Sequence, residues 1–86
     1  MKDVLELIDV VEENIVEYDM KKFKETVAVL VEKIFYILPK LDEKYIKHIN
    51  IIFQNINVAL NNKDYLLYQD ILEFELKPIL KNARMS

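Results

Sequence analysis

The residue with the most versatile chemistry in this sequence is its single histidine, His48. A histidine can act as a general base or as a metal ligand, but both roles need a partner group within reach. The nearest acids before it, Glu43 and Asp42, stand five and six residues away, so they lie off the helix face that carries His48. The Glu-x-x-His pairs that build di-iron sites in helical bundles are absent. We therefore expect a surface or boundary residue, not a catalytic or metal-binding one.

A second candidate site is the acidic group formed by Asp70, Glu73 and Glu75. Asp70 and Glu73 share a helix face at a spacing of three, whereas Glu75 points elsewhere. A hard cation needs several converging oxygen ligands. The sequence therefore favours a solvated acidic strip over a cation site or a catalytic pair, and it predicts no bound metal.

Other groups that carry chemistry are missing from the sequence. It has no cysteine, which excludes disulfides and thiolate sites, and no glycine, which excludes P-loops and dinucleotide-binding loops. Apart from tyrosine, the hydroxyl groups are those of Thr26 and Ser86, and we expect Ser86 to be frayed. We therefore predict no enzyme activity, no cofactor and no small-molecule substrate.

The charge distribution excludes further classes of function. The net charge is −3 and arginine occurs once, at Arg84, whereas nucleic-acid-binding proteins carry basic surfaces. The first 19 residues hold seven acids and one lysine, which no signal peptide does. The uncharged runs are much shorter than the roughly 18 residues of a membrane span. We expect a cytoplasmic protein that binds neither nucleic acid nor membranes.

We expect the elements that position these residues to be organised around one stretch, residues 23–38. It contains two apolar blocks, 27–31 and 34–38, separated by Glu32 and Lys33. A helix that is apolar on nearly every side needs neighbours on nearly every side. We therefore expect this segment to be the most buried helix, with the others packed around it.

Hydrophobic spacing predicts four helices, at 3–18, 20–38, about 43–60 and about 63–80. Asp19, Asp42 and Asn61 are the expected N-caps, each with an apolar residue before it and another four residues after it, the spacing of a hydrophobic staple. Pro39 should end the second helix, and Pro78 should kink or end the fourth. The cap arrangement recurs at an offset of 42 residues, which suggests two hairpins of similar design.

The predicted fold is all-α. We expect a four-helix up-down bundle made of two antiparallel helical hairpins, with completion by dimerisation left open. Residues 1–81 are expected to form a single helical domain, and residues 82–86 a disordered tail.

The predicted function follows from an excess of apolar residues, which make up 52% of this short chain. Ile51, Val58 and Leu66 lie off the buried stripes, and Tyr65 and Tyr68 are tyrosines of the kind that anchor interfaces. These five residues are the candidate interface. We expect a non-enzymatic protein-interaction domain that forms a homo-oligomer or holds a partner helix. The alternative is a small acidic chaperone for secreted or flagellar subunits, by analogy of size and charge.

Overall fold

The computed structural model describes residues 2–83, and all of its regular elements are helical. No strand occurs in that range, which confirms the all-α class. Asn82 is the last helical residue, and the rest of the predicted tail, 84–86, lies outside the described residues. The helices are α1 (Lys2–Val16), α2 (Met20–Ile37), α3 (Glu43–Asn61), α4 (Tyr65–Ile71) and α5 (Lys77–Asn82), with a 3₁₀ turn at Leu38–Lys40 and a π turn at Leu72–Leu76.

The chain divides into two compact units, Met1–Pro39 and Lys40–Ser86. The first contains α1 and α2, which pack together as hairpin 1. The second contains α3, which packs against the continuous helical segment 65–82 as hairpin 2. Two hairpins are therefore present, whereas the up-down bundle and the single domain 1–81 stay predictions.

Hairpin 1 is held by an apolar stripe on α1 and by two polar contacts between its helices. The buried Asn14 side chain donates a hydrogen bond to the Thr26 hydroxyl, with nitrogen and oxygen 3.0 Å apart. Near the other end, Lys33 Nζ lies 3.3 Å from an Asp3 carboxylate oxygen. This hydrogen bond from Lys33 holds the pKa of Asp3 below its usual value. The stripe consists of Val4, Ile8, Val11 and Ile15.

The prediction that the second helix is buried on nearly every side is wrong. Along α2 the structure fully buries Phe23, Leu30 and Ile34, but it leaves Phe35 and Tyr36 exposed. A hairpin offers each helix one partner face, and a chain of this size has too little interior to cover several. α2 is therefore an amphipathic helix of the usual kind.

Two aspartates cap the helices that follow the hairpin turns. Asp19 accepts a hydrogen bond from the Lys22 backbone N–H at 3.1 Å, as predicted, although the exposed Tyr18 forms no staple. Asp42 precedes α3 but makes no side-chain cap bond. The prediction for Asn61 is wrong, because that residue is the last of α3 and Asp64 caps α4 instead.

Replacing Asp64 with alanine should lower the free energy of unfolding by about 1 kcal/mol, the typical loss for an N-cap. The Asp64 carboxylate accepts a hydrogen bond from the Leu67 backbone N–H at 3.1 Å, and alanine leaves that donor unpaired. Urea denaturation followed by circular dichroism measures the change. The matched control is Asn61→Ala, which should be nearly neutral. An equal loss in both variants would contradict the assignment of the cap.

The two hairpin turns have the same geometry at an offset of 45 residues, not 42. Tyr18 and Lys63 both adopt a left-handed backbone conformation, with φ of 56° and 54°. The N-caps Asp19 and Asp64, also 45 residues apart, have nearly identical backbone angles. The backbone hydrogen bonds around the turns also repeat: Asp19 to Asn14 and Asp64 to Ala59 are one such pair. The similarity of design is confirmed, and the offset is corrected.

A π turn changes the register of the last helical segment. The buried trio Tyr68, Ile71 and Leu72 is repeated eight residues later by Leu76, Ile79 and Leu80, whereas a regular helix repeats its face after seven. The Lys77 N–H donates to the Leu72 carbonyl, five residues back, which accounts for the extra residue. The regular helix is thus interrupted just before Pro78, as predicted.

Candidate protein-binding face of the second hairpin

The structure places the five candidate interface residues in three different environments. Ile51 and Val58 are each 56% exposed and Leu66 is 77% exposed. Tyr65, at the start of α4, is half-buried. Tyr68 is only 3% exposed. Ile51, Val58 and Leu66 are therefore available to a partner, Tyr65 is partly available, and Tyr68 is not.

Tyr68 is a core residue, which corrects its place in the candidate interface. Burial raises the pKa of its phenol to about 12. The interpretation of Tyr68 as a surface anchor was based on its position beside Leu66, but the two side chains lie a little more than half a turn apart on the helix. Tyr68 therefore faces inward while Leu66 faces solvent.

A groove runs along one side of hairpin 2, between α3 and the segment 65–82. Near the turn it is a cavity of about 270 Å³ whose lining includes Val58, Leu67 and Ile71. Towards the other end it widens to about 510 Å³, with His48 and Phe74 among its lining residues. Glu75 lines both cavities, so they lie next to each other along the hairpin. We call the two together the groove.

Exposed apolar side chains border this groove on both helices. On α3, Ile51 and Val58 share a flank at a spacing of seven residues, with Asn55 between them. Opposite them, Leu67 is 43% and Phe74 is 74% exposed. Their combined apolar surface is on the order of several hundred Å², a size at which patches on soluble proteins mark interaction sites.

Leu67 and Phe74 are the residues that sequence reasoning missed. The apolar pattern assigns both to a wide buried face, because Leu67, Ile71 and Phe74 follow helical spacing. Leu67 lies at the exposed edge of this face before the π turn, and the π turn then carries the later core positions to Leu76 and Leu80, which leaves Phe74 outside the core. The spacing of eight between the two buried trios was the signal that could have shown it.

Charged groups beside and within the groove differ in whether they form an ion pair. The acid Glu73, one turn before Lys77, forms an ion pair with it at 2.9 Å, which satisfies one member of the predicted acidic strip. Glu75 is exposed and has no ion pair within residues 2–83. At the open end, Lys44 lies over the Tyr45 ring, 5.1 Å from its centroid. Among residues 2–83, Glu75 is thus an acid of the groove without an ion pair, with the apolar Val58, Leu67 and Ile71 beside it in the smaller cavity.

Hairpin 1 shows which residues the fold requires at the same positions. At the offset of 45, Ile51 corresponds to Glu6 and Val58 to Glu13, and both glutamates are exposed. Leu67 corresponds to the exposed Lys22. The hairpin fold therefore accepts charged residues at all three positions. Their apolar character in hairpin 2 needs a reason other than folding.

The cavity of hairpin 1 is lined by an ion pair, and the groove of hairpin 2 has no such pair among residues 2–83. A cavity of about 480 Å³ there is lined by Val29 and Tyr36 together with the ion-paired Asp3 and Lys33. Asp3 corresponds to His48 at an offset of 45, and Lys33 corresponds to Ile79 at an offset of 46. The cavity of hairpin 1 is thus lined by an ion pair and by the exposed Glu32, whereas the groove of hairpin 2 is lined by Glu75, which has no ion pair among residues 2–83.

The fold and the groove define a small all-helical domain of two hairpins with an apolar, acid-containing groove on the second. Residues 1–85 match the family described as "Domain of unknown function (DUF8042)", and the chain belongs to that family. No curated protein and no solved structure gives a match. Within residues 2–83, no helix has both the length and the apolar character that crossing a membrane requires.

Proposed function

We propose that this protein is a non-enzymatic protein-interaction domain, and that the groove of hairpin 2 is its binding face. The observation that carries the proposal is the comparison between the hairpins. Three positions that are charged in hairpin 1 are occupied by Ile51, Val58 and Leu67 in hairpin 2. Apolar groups that the fold does not need, gathered on one face, are typical of a surface that a partner covers.

The shape of the face supports a helix as the occupant. Apolar residues seven apart on α3 border a groove that two antiparallel helices enclose, which is the geometry of helix-in-groove recognition. A second copy could equally supply a helix, so self-association belongs to the same proposal. The chaperone alternative is a special case in which the helix comes from an exported subunit, and nothing in residues 2–83 favours it over other helical partners. A cytoplasmic location stays a prediction.

The test is a variant in which hairpin 2 carries the residues of hairpin 1, namely Ile51→Glu, Val58→Glu and Leu67→Lys. Multi-angle light scattering would measure self-association, and fluorescence anisotropy would measure the binding of amphipathic helical peptides selected against the wild-type protein. We expect the wild-type protein to show at least one of the two. The variant should weaken whichever is present at least tenfold, because it places charge on the binding face.

The matched control makes the same charge changes on exposed valines of hairpin 1: Val10→Glu, Val16→Glu and Val29→Lys. This control should bind like the wild-type protein. Equal losses in the two variants would show that added charge alone is responsible. A wild-type protein that stays monomeric and yields no peptide sensitive to the hairpin 2 variant would overturn the proposed function.

A further inference from the structure

We propose that the groove takes one amphipathic helix from a different protein, and that this helix carries a lysine or arginine that pairs with Glu75. The inference depends on the proposed function and specifies the chemistry of the partner. It follows from the spacing of the apolar residues and from the position of the one acid that lines both cavities.

The apolar residues of the groove form two levels. Val58 and Leu67 line the smaller cavity near the turn, and Phe74 lines the larger one. Ile51 stands seven residues before Val58 on α3 and one turn after His48, which lines the larger cavity. A helix laid along the groove meets both levels if its own apolar residues also stand seven apart, with another at the third or fourth position between them. About 14 residues are enough to cover this length.

Glu75 indicates which charge the bound helix should carry. It lines both cavities and is the only charged residue among those that line the smaller one. A helix that covers the groove removes water from this carboxylate, and an ion that loses water without gaining a partner is unfavourable. No residue from 2 to 83 forms an ion pair with Glu75. Because none of the described residues pairs with Glu75, we expect the occupant to supply the cation.

A second copy of the chain is the less favourable source of this cation. Two copies related by a two-fold axis present the same face to each other, so each brings another Glu75. Lys44, the lysine that lines the larger cavity, lies over the Tyr45 ring at the open end and has no ion pair with Glu75. The charge pattern therefore favours a different protein with a basic amphipathic helix.

The experiment is a selection from a yeast-displayed library of 18-residue helical peptides with apolar residues at i, i+3 and i+7 and random residues elsewhere. The wild-type protein and the Glu75→Lys variant serve as separate targets. We expect lysine or arginine to be enriched at one fixed helical position with the wild-type protein, and glutamate or aspartate at that position with the variant. Each selected peptide should bind its own target at least tenfold more tightly than the other.

The control target is Asp70→Lys, which changes the net charge equally at an exposed position of α4 that lines neither cavity. It should select the same basic peptides as the wild-type protein. If the Glu75→Lys variant also selects basic peptides, the preference for basic peptides does not depend on Glu75. The proposed role of Glu75 is then refuted, although binding in the groove stands. If the wild-type protein is a dimer that the hairpin 2 variant dissociates, the occupant is a second copy. Peptides that bind the hairpin 2 variant unchanged would refute the proposed function itself.

Discussion

Replacing Leu76 with alanine should lower the free energy of unfolding by about 3–5 kcal/mol, whereas Glu75→Ala should change it by less than about 0.5 kcal/mol. Leu76 has no exposed surface, and its neighbour Glu75 is exposed. A leucine truncated in a packed core loses its burial and leaves a cavity. The contrast between two adjacent residues is a direct consequence of the π turn.

A regular helix predicts a different result for this pair. It returns to the face of Tyr68 after seven residues, at position 75, and position 76 then lies towards the edge of the buried face. Urea denaturation of both variants, with the exposed Leu66→Ala as a control for lost side-chain volume, distinguishes the two registers. Similar stabilities for Leu76→Ala and Leu66→Ala would contradict the π turn.

Stability should also fall at alkaline pH because of Tyr68. Its pKa is raised to about 12 in the folded state by burial, whereas in the unfolded chain it is close to 10. The unfolded state therefore loses the phenolic proton first, and the contribution of Tyr68 to stability is complete below pH 10 and disappears as the pH rises towards 12. Two pH units correspond to about 3 kcal/mol.

Urea denaturation at several pH values from 8 to 12 measures this loss. Tyr68→Phe keeps the ring and removes the titrating group, so the difference between the two proteins isolates Tyr68 from the lysines that titrate in the same range. Tyr36→Phe is the control, because that ring is exposed. Parallel pH profiles for the wild-type protein and Tyr68→Phe would show that the phenol is not buried.

Short-range rules predicted much of the fold. The cap at Asp19 depends on one side chain and the N–H three residues later, so it can be recognised locally. The cap at Asp64 was missed because Asn61 offers the same chemistry three residues earlier. The choice between them is made by Lys63, whose left-handed backbone reverses the chain only after α3 has ended.

The binding face was less predictable, because it depends on which apolar residues the core leaves out. Ile51 and Val58 could be found by their distance from the buried stripe of α3. Phe74 was harder to find, because the spacing of eight between the two trios has to be recognised as the sign of a π turn. The burial of α2 was overestimated for a related reason: its composition gives the apolar residues, but not how many neighbours cover them.

The central claim is that Ile51, Val58 and Leu67 serve a partner and not the fold. The most direct measurement is the free energy of unfolding, by urea denaturation, of the variant Ile51→Glu, Val58→Glu and Leu67→Lys beside the wild-type protein. The account predicts a loss of less than about 1.5 kcal/mol, because exposed substitutions change stability by about 0.5 kcal/mol each. A loss above about 4 kcal/mol would show that these side chains hold hairpin 2 together and would contradict the claim.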